Sequence, residues 1–470
     1  MATTLPDPRL VLAVTAAKGI SVASRRLGRG GGTAAPGLVA DRIDPRLLGK
    51  IASQLSRGAV VVAGTNGKTT TSRIIADVLE ADGARVVHNR SGSNLVRGVA
   101  AAFAESSTIF GRPNGDAGVI EADEAAFPEI VRRVQPKVVL LNNLFRDQLD
   151  RYGELHTIAT KWKPAIAALP ATSSVVVNAD DPALAVLTEN IAAKRITFGM
   201  RNIAYRLAEI PHAADSIRCP VCDTALDYDA LYLAHLGAWH CPACGAKRPE
   251  LDLAGEALHL DGVERLTMTI AEAGASAWPI EIGVPGLYNA YNALAAAAVS
   301  RALGVQPTTI ATTMQAFRSA FGRIERLTYR NRKLTIALVK NPVGFNEVLR
   351  MLVTNGELQV PALIAINDLA ADGRDVSWLW DVDFELLGGT GAKIATAGIR
   401  GTDMANRLKY AGVATERITS LSEDFERALD AFVDLVPEGE TAYILPTYTA
   451  MLDIREILAG KGAIQQFWEQ

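Results

Sequence analysis

Between residues 58 and 192, short apolar runs alternate with stretches whose apolar residues recur at helical spacing. The runs are AVVVAG, AGVIEA, KVVLLNN and SSVVVNAD, and the amphipathic stretches cover 69–81, 126–133, 155–168 and 182–192. Continuous runs of Val, Ile and Leu, without a polar residue at every second position, describe strands buried on both faces. Helices between such strands make βαβ units on a parallel sheet. A second alternation opens at KLTIALVK and continues through ALIAIND, KIATAG and TAYILPT, each followed by a helix-like stretch. It predicts a smaller, Rossmann-like α/β domain. Ahead of the first alternation, the apolar run Leu10–Ala17 reads as a docked or surface helix and GRGGGTAAPG (28–37) as a flexible stretch. DPRLLGKIASQL reads as a helix capped by Asp44, with Pro45 in its first turn. The predicted organisation is a helical N-terminal segment (1–55), a central α/β domain on a parallel sheet (56–325) and a C-terminal α/β domain (326–470), with an interruption of the central pattern at about 210–260.

At 470 residues the chain has room for roughly three domains of ordinary size. Its 48 Lys and Arg against 51 Asp and Glu leave a net charge of -3. With no broad basic field, nucleic acid is not expected as a partner. The N-terminal apolar run is broken by Lys18, followed by Arg25 and Arg26, and too short to span a bilayer. No transmembrane segment and a cytoplasmic location are expected.

The cysteines change the picture of the interruption. All four, Cys219, Cys222, Cys241 and Cys244, fall in CPVC and CPAC knuckles separated by 18 residues. In a chain without a secretion signal, that spacing predicts a closed tetrahedral Cys₄ site for a structural Zn²⁺. The nearby His235 and His240 are then packing or solvated residues.

VVVAGTNGKTTTSRIIADVLE reads as strand, tight glycine loop and helix. Gly64 and Gly67 let backbone N–H groups line a concavity. Lys68 can bridge phosphates, Thr69 can ligate Mg²⁺, and the helix N-terminus favours an anion. Position 62, a glycine in the longer phosphate-loop spacing, is Val62, so the loop is a shortened form. The competing reading is a glycine turn feeding an ordinary helix.

The stretch Gly64, Thr65, Asn66, Gly67, Lys68, Thr69, Thr70 resembles the ATP loop of the Mur ligase superfamily, which includes the peptidoglycan amino-acid ligases and folylpolyglutamate synthase. Further blocks follow in that family's order: GVIEADE, LNNLFRDQLDRYG, NADDP (178–182), GLYNAYNALAA (286–296) and GRIER (322–326). The resemblance implies a Mg²⁺-binding role for Glu121, an adenine contact for Asn289 and a nucleotide contact for Arg323. Two positions depart from the family pattern. Gln148 stands where many members have histidine, and Trp162 stands where many carry a modified lysine that binds a second metal, Lys161 lying one position early.

A Cys₄ ribbon set in a Mur-type central domain, together with GGGTAAPG, NDLAADGRDVSWLWD (367–381) and LPTYTAMLDIREIL (445–458), is similar to the MurT family, the ligase subunits of lipid II isoglutaminyl synthase. That resemblance covers essentially the whole chain. It implies ATP-dependent amidation of the α-carboxylate of D-glutamate in the lipid II stem peptide, through an acyl phosphate, at the membrane surface where lipid II resides. The ammonia would come from a GatD-type glutamine amidotransferase partner in a heterodimer. The chain's own residues point the same way. A cysteine-type glutaminase needs a free thiolate, but all four cysteines are committed to the metal and position 2 is Ala2. The resemblance further implies that a C-terminal-domain aspartate orients the partner's catalytic histidine. Asp368, Asp372 and Asp375, on the loop leaving an apolar strand, are the candidates; each also fits a solvated turn. Two alternatives stand beside this reading. One is a ligase that adds a whole amino acid, and the other is a zinc-stabilised scaffold with a dead ATP site, against which the intact Lys68, Thr69 and Glu121 argue.

Overall fold

The computed structural model describes residues 7–26, 34–89, 94–146, 155–261, 264–318, 324–354 and 360–464. Seventeen strands occur among them, in three sheets. The first eleven are β1 (Gly58–Ala63), β2 (Val86–His88), β3 (Ala117–Glu121), β4 (Val138–Leu141), β5 (Ser174–Asn178), β6 (Lys194–Met200), β7 (Asp227–Leu233), β8 (Leu236–His240), β9 (Leu253–Asp261), β10 (Arg265–Glu272) and β11 (Trp278–Ile282). Nine form the central sheet in the order β11-β10-β9-β6-β5-β4-β1-β3-β2. Pairing is parallel from β2 across to β9 and antiparallel through β10 and β11. From β1 the chain builds β2 and β3 on one side, then β4, β5 and β6 on the other. The strand order therefore reverses at β1, and the crevice beyond its C-terminal end is where such sheets place ligands.

The apolar strands are covered on both faces, as their continuous runs require. On one face Val60, Val62 and Leu140 pack with the helices Lys68–Ala81 and Leu287–Ala302. On the other, Val61, Ile120 and Val139 meet the helices Phe127–Val134 and Leu155–Ala167 and the N-terminal helices. Leu10, Val14 and Ala17 of the helix Pro8–Arg26 join this second core. A helix also spans Ala34–Ile43, so the last residues of the stretch expected to be flexible are ordered and Ala40 is buried. Residues 27–33 lie outside the described residues. The helix expected over 182–192 stops at Leu187. Thr188 turns its hydroxyl onto the carbonyls of Leu184 and Ala185, at 3.0 and 3.1 Å, and Asn190 takes a positive φ of 55°.

Parallel neighbours need a crossover connection, usually a helix. Between β6 and β9, paired from Phe198↔Leu253 to Met200↔Gly255, the crossover is the ribbon: two cysteine knuckles and the antiparallel hairpin β7–β8.

The remaining strands, β12 (Ile324–Tyr329), β13 (Arg332–Ala337), β14 (Ala362–Ala365), β15 (Ile394–Ala397), β16 (Ile418–Ser420) and β17 (Thr441–Pro446), form a second sheet in the order β12-β13-β17-β14-β15-β16. All its pairs are parallel except the β12–β13 hairpin, whose two-residue turn Arg330–Asn331 has φ of 47° and 60°. Ile324, Glu325 and Arg326 of the GRIER block thus belong to this second sheet. Cores lie on both its faces, around Phe345 and Phe384 on one and Leu429 and Phe432 on the other. Among the described residues no helix is long and apolar enough to cross a membrane.

Candidate active site and metal centre

The glycine loop lies at the C-terminal end of β1, between the ends of β3 and β4. The loop of β4 holds it. Asn66 N–H donates to Asn143 Oδ1 at 2.8 Å, while the side-chain amides of Asn142 and Asn143 donate to Asn66 O at 3.2 and 3.0 Å. The Thr65 hydroxyl donates to Phe145 O at 3.1 Å and accepts from Phe145 N–H at 3.0 Å. With the loop carbonyls occupied in this way, the helix Lys68–Ala81 starts from Gly67 (φ 80°) and directs its N-terminus out of the sheet. A side chain at Gly67 would strike Asn292, whose Oδ1 lies 1.9 Å from where a Cβ would sit. Thr70 is buried and Thr69 half-buried at the helix start.

Lys68 is buried beneath the loop. Its Nζ donates to Gly64 O at 2.6 Å, Thr65 O at 3.3 Å and Glu124 Oε1 at 2.8 Å. Glu121, also buried, ends β3 with its backbone clamped by Asn89, which accepts from its N–H at 2.9 Å and donates to its O at 3.0 Å. Glu124, Asn142 and Asn143 thus join the site, although only their positions inside recognisable blocks marked them in the sequence. Trp162, at the family's modified-lysine position, is fully buried, 4.5 Å from the Phe127 ring, and its Nε1 donates to Glu124 O at 2.9 Å. Among the described residues no lysine takes that place. Arg323 and Gln148 lie outside the described residues.

Beside the loop opens a cleft bounded by Asn66 and Gly67, by Tyr288 and Asn292, and by Val343 and Glu347 from the second sheet's side. Asn341 Nδ2 donates to Asn66 Oδ1 at 2.9 Å across it. Asn289, implied as the base contact, commits its amide elsewhere. Its Nδ2 donates to Pro285 O at 2.7 Å, and its Oδ1 accepts from Asn292 Nδ2 at 3.1 Å. One helical turn later, Asn292 is the residue that lines the cleft. Arg146, next to the loop of β4, bonds Asp215 on the ribbon arm and lies 3.5 Å from Asp381 of the C-terminal region.

The three loop aspartates differ in their surroundings. Asp372 is buried, against its solvated-turn reading. It accepts from Thr449 N–H at 2.8 Å and from the Thr449 hydroxyl, satisfying the first turn of the helix Tyr448–Gly460. Asp368 lies 3.7 Å from Arg400 Nε. Asp375 is exposed, and the Ser377 hydroxyl and N–H hold its carboxyl below the usual carboxylate range.

The four cysteine Sγ atoms all lie within 4.8 Å of one another. Cys219 Sγ is 3.6 Å from Cys244 Sγ, and Cys222 Sγ is 3.5 Å from Cys241 Sγ. Each knuckle is a tight turn. Asp223 N–H donates to Cys219 O at 2.9 Å, Gly245 N–H donates to Cys241 O at 3.2 Å, and Gly245 has φ 76°. The Cys222 thiol is lowered to about 6 by the Thr224 hydroxyl and backbone and by Cys241. Four soft donors converging on one point fit Zn²⁺. His240 is partly exposed, while His235 is fully buried, its ring 4.9 Å from that of Phe145.

The family models agree with this architecture. The Mur ligase middle domain matches residues 62–231 and the MurT ligase C-terminal model matches 338–451. A pseudomurein peptide ligase type C from Methanothermus fervidus shares the fold, with a TM-score of 0.68 at 20% identity over 87% of this chain and 79% of that one. The lipid II isoglutaminyl synthase (glutamine-hydrolyzing) subunit MurT of Streptococcus pneumoniae is 34% identical over 94% of this chain and 95% of its own length. The Staphylococcus aureus MurT is 34% identical over 95% of this chain and 97% of its own. With a middle domain and a C-terminal region both matched and near-complete relatives at that identity, the chain belongs to the MurT family of Mur ligases.

Proposed function

We propose that this chain is the ATP-dependent synthetase subunit of a glutamine-hydrolysing lipid II isoglutaminyl synthase. It would convert the α-carboxylate of D-glutamate in the stem peptide to the carboxamide, in the cytoplasm, in complex with a GatD-type glutaminase. The observation that carries this reading is the phosphate loop seated between Glu121 and the β4 asparagines in a chain alike to MurT subunits over nearly its full length. We assign residues 1–55 to a helical segment, 56–323 to the ATP-binding domain and, because β12 begins at Ile324, 324–470 to the domain that meets the partner.

A carboxylate is a poor electrophile, so the reaction first transfers the γ-phosphoryl group of ATP to the substrate carboxylate oxygen, releasing ADP. Ammonia then attacks the acyl carbon, phosphate leaves and the new nitrogen loses a proton. The backbone N–H groups at the start of the helix Lys68–Ala81 cradle the phosphates, with Thr65 and Asn66 holding the loop in place through their own N–H bonds to Asn143, and the Lys68 ammonium exchanges Glu124 for phosphoryl oxygens as charge builds on them. Thr69 and Glu121 would hold Mg²⁺, which supplies charge neutralisation at the phosphates. The cleft beside Gly67 takes the nucleoside, with Asn292 at its edge. Zn²⁺ on the four cysteines leaves no open position and is structural.

Because free ammonia is scarce at neutral pH, the nucleophile is made locally by the partner. Of the three aspartates, Asp375 is the exposed one, which suits a carboxylate that orients a partner's imidazole in trans. The test is reconstitution of the chain with a GatD-type partner, lipid II, ATP and glutamine, with product mass spectrometry. Conversion of one carboxylate to a carboxamide, with ATP consumed, is expected. Addition of a whole amino acid, or product formation without ATP, would overturn the proposal.

A further inference from the structure

The zinc ribbon ends in a buried tip. Between β7 and β8 the chain turns at Ala234 and His235, which are 2% and 0% exposed, and Ala234 takes φ 50° to make the turn. A turn is ordinarily left at the surface because its backbone polar groups need water. Here the end of β5 and the hairpin's own Tyr228 supply partners for the tip. Gly237 N–H donates to Asp180 O at 3.0 Å, Trp239 Nε1 donates to Ala179 O at 3.0 Å, and the Tyr228 hydroxyl donates to His235 O at 3.0 Å. Asp180 in turn accepts from Arg248 on the ribbon's return arm at 2.8 Å and from the Tyr291 hydroxyl at 2.7 Å. The arm is therefore locked to the end of β5 and to the helix Leu287–Ala302.

The tip residues flanking this turn, Leu233 and Leu236, line the same cleft as Gly67 and Asn292. We infer that Leu233 and Leu236 are the wall against which the base of the bound nucleotide packs, so that the ribbon tip determines nucleotide specificity. This rests on the ATP reading above. A base needs a flat apolar surface within nucleotide reach of the phosphate loop, and these leucines supply one next to Gly67. The root of the same hairpin is the cysteine cluster. Cys241 follows β8 directly and Leu226 precedes β7, and both pack with Cys219 and Trp239. A Zn²⁺ held by the four cysteines would thus fix one end of a short antiparallel lever whose other end touches the cleft.

The test compares the affinity of the full chain for ATP and for N6-benzyl-ATP by isothermal titration calorimetry. Leu236→Ala opens space, so ATP affinity should fall and the ratio of N6-benzyl-ATP to ATP affinity should rise, by about tenfold or more for the side-chain volume removed. Leu233→Ala provides the same readout if the first variant does not fold. Leu226→Ala, buried at the root and outside the cleft, should lower thermal stability and leave the ratio unchanged. Equal weakening of both ligands in the tip variants, or the same change of ratio in Leu226→Ala, overturns the inference and leaves the tip as core packing. A folded wild-type chain that binds no ATP overturns the nucleotide reading itself, a result seen before any variant is made.

Discussion

Replacing Gly67 with alanine tests how the phosphate loop is held. Gly67 sits at φ 80°, where a residue with a Cβ costs about 1–2 kcal/mol. Its Cβ would also lie 1.9 Å from Asn292 Oδ1 and 2.7 Å from Asn292 Cγ, so Asn292 must turn away. A loosely held amide would swing aside at little cost. This one accepts from Asn142 Nδ2 at 3.1 Å and Thr71 Oγ1 at 3.2 Å and donates to Asn289 Oδ1 at 3.1 Å. Three buried hydrogen bonds at about 0.5–1.5 kcal/mol each bring the total to roughly 3–6 kcal/mol, a large share of the ~5–15 kcal/mol stability of a typical domain. Urea unfolding measures the loss, and calorimetry measures ATP affinity in whatever remains folded. The double variant Gly67→Ala/Asn292→Ala removes the overlap but keeps the φ penalty, so it should be less destabilised than the sum of the single variants. A Gly67→Ala protein within about 0.5 kcal/mol of wild type, or strictly additive single effects, would refute the described packing.

Three other outcomes are expected. Lys68→Met should lose ATP turnover and also about 3–5 kcal/mol of stability, because it strands the buried Glu124; adding Glu124→Gln should restore most of the stability and none of the turnover. Retained turnover in Lys68→Met would show that the lysine does not serve the phosphates. Cys222→Ser should release about one Zn²⁺ per chain, measured by atomic emission, and lower the melting temperature; a metal-free variant that melts like wild type would exclude a structural metal. Asp375→Asn should suppress glutamine-dependent amidation while ammonium-driven amidation at high pH and complex assembly persist, and equal loss of both activities would place Asp375 in the synthetase reaction instead.

What could be read in advance was what the chain encodes locally. Val60–Val62, a glycine loop and an amphipathic helix form one continuous signal, and the strand ends at Glu121 and Asn142 follow from apolar runs that stop at a polar residue. The two cysteine knuckles are equally local, since each turn places its own pair of thiols. Partnerships made across the sheet were not legible. Nothing near Lys68 in sequence marks Glu124 as its counter-ion, and nothing in GLYNAYNALAA says which asparagine faces the cleft until the helix phase is known. The helix Ala34–Ile43 was hidden by Gly and Pro, residues of poor helix propensity, because packing of Ala40 and Ile43 against the second core outweighs propensity. Asp372 reads as a turn residue beside Gly373, and only the fold brings Thr449, 77 positions later, to its carboxylate.

The ribbon's place in the topology bears on how such a protein can be changed. Domains spliced into a surface turn can be removed by rejoining two adjacent ends, but β6 and β9 run in the same direction, with Met200 beside Gly255. The chain leaving one strand must travel the full length of the sheet before it can enter the next, which takes about a dozen residues. Deleting the whole segment between β6 and β9 would therefore disconnect the central sheet. Loss of that whole segment would require a helix of suitable length and an apolar face to be installed in the same event, whereas the knuckles and their hairpin alone, whose ends meet at Cys219 and Cys244, could be excised with residues 201–218 and 246–252 left to carry the crossover.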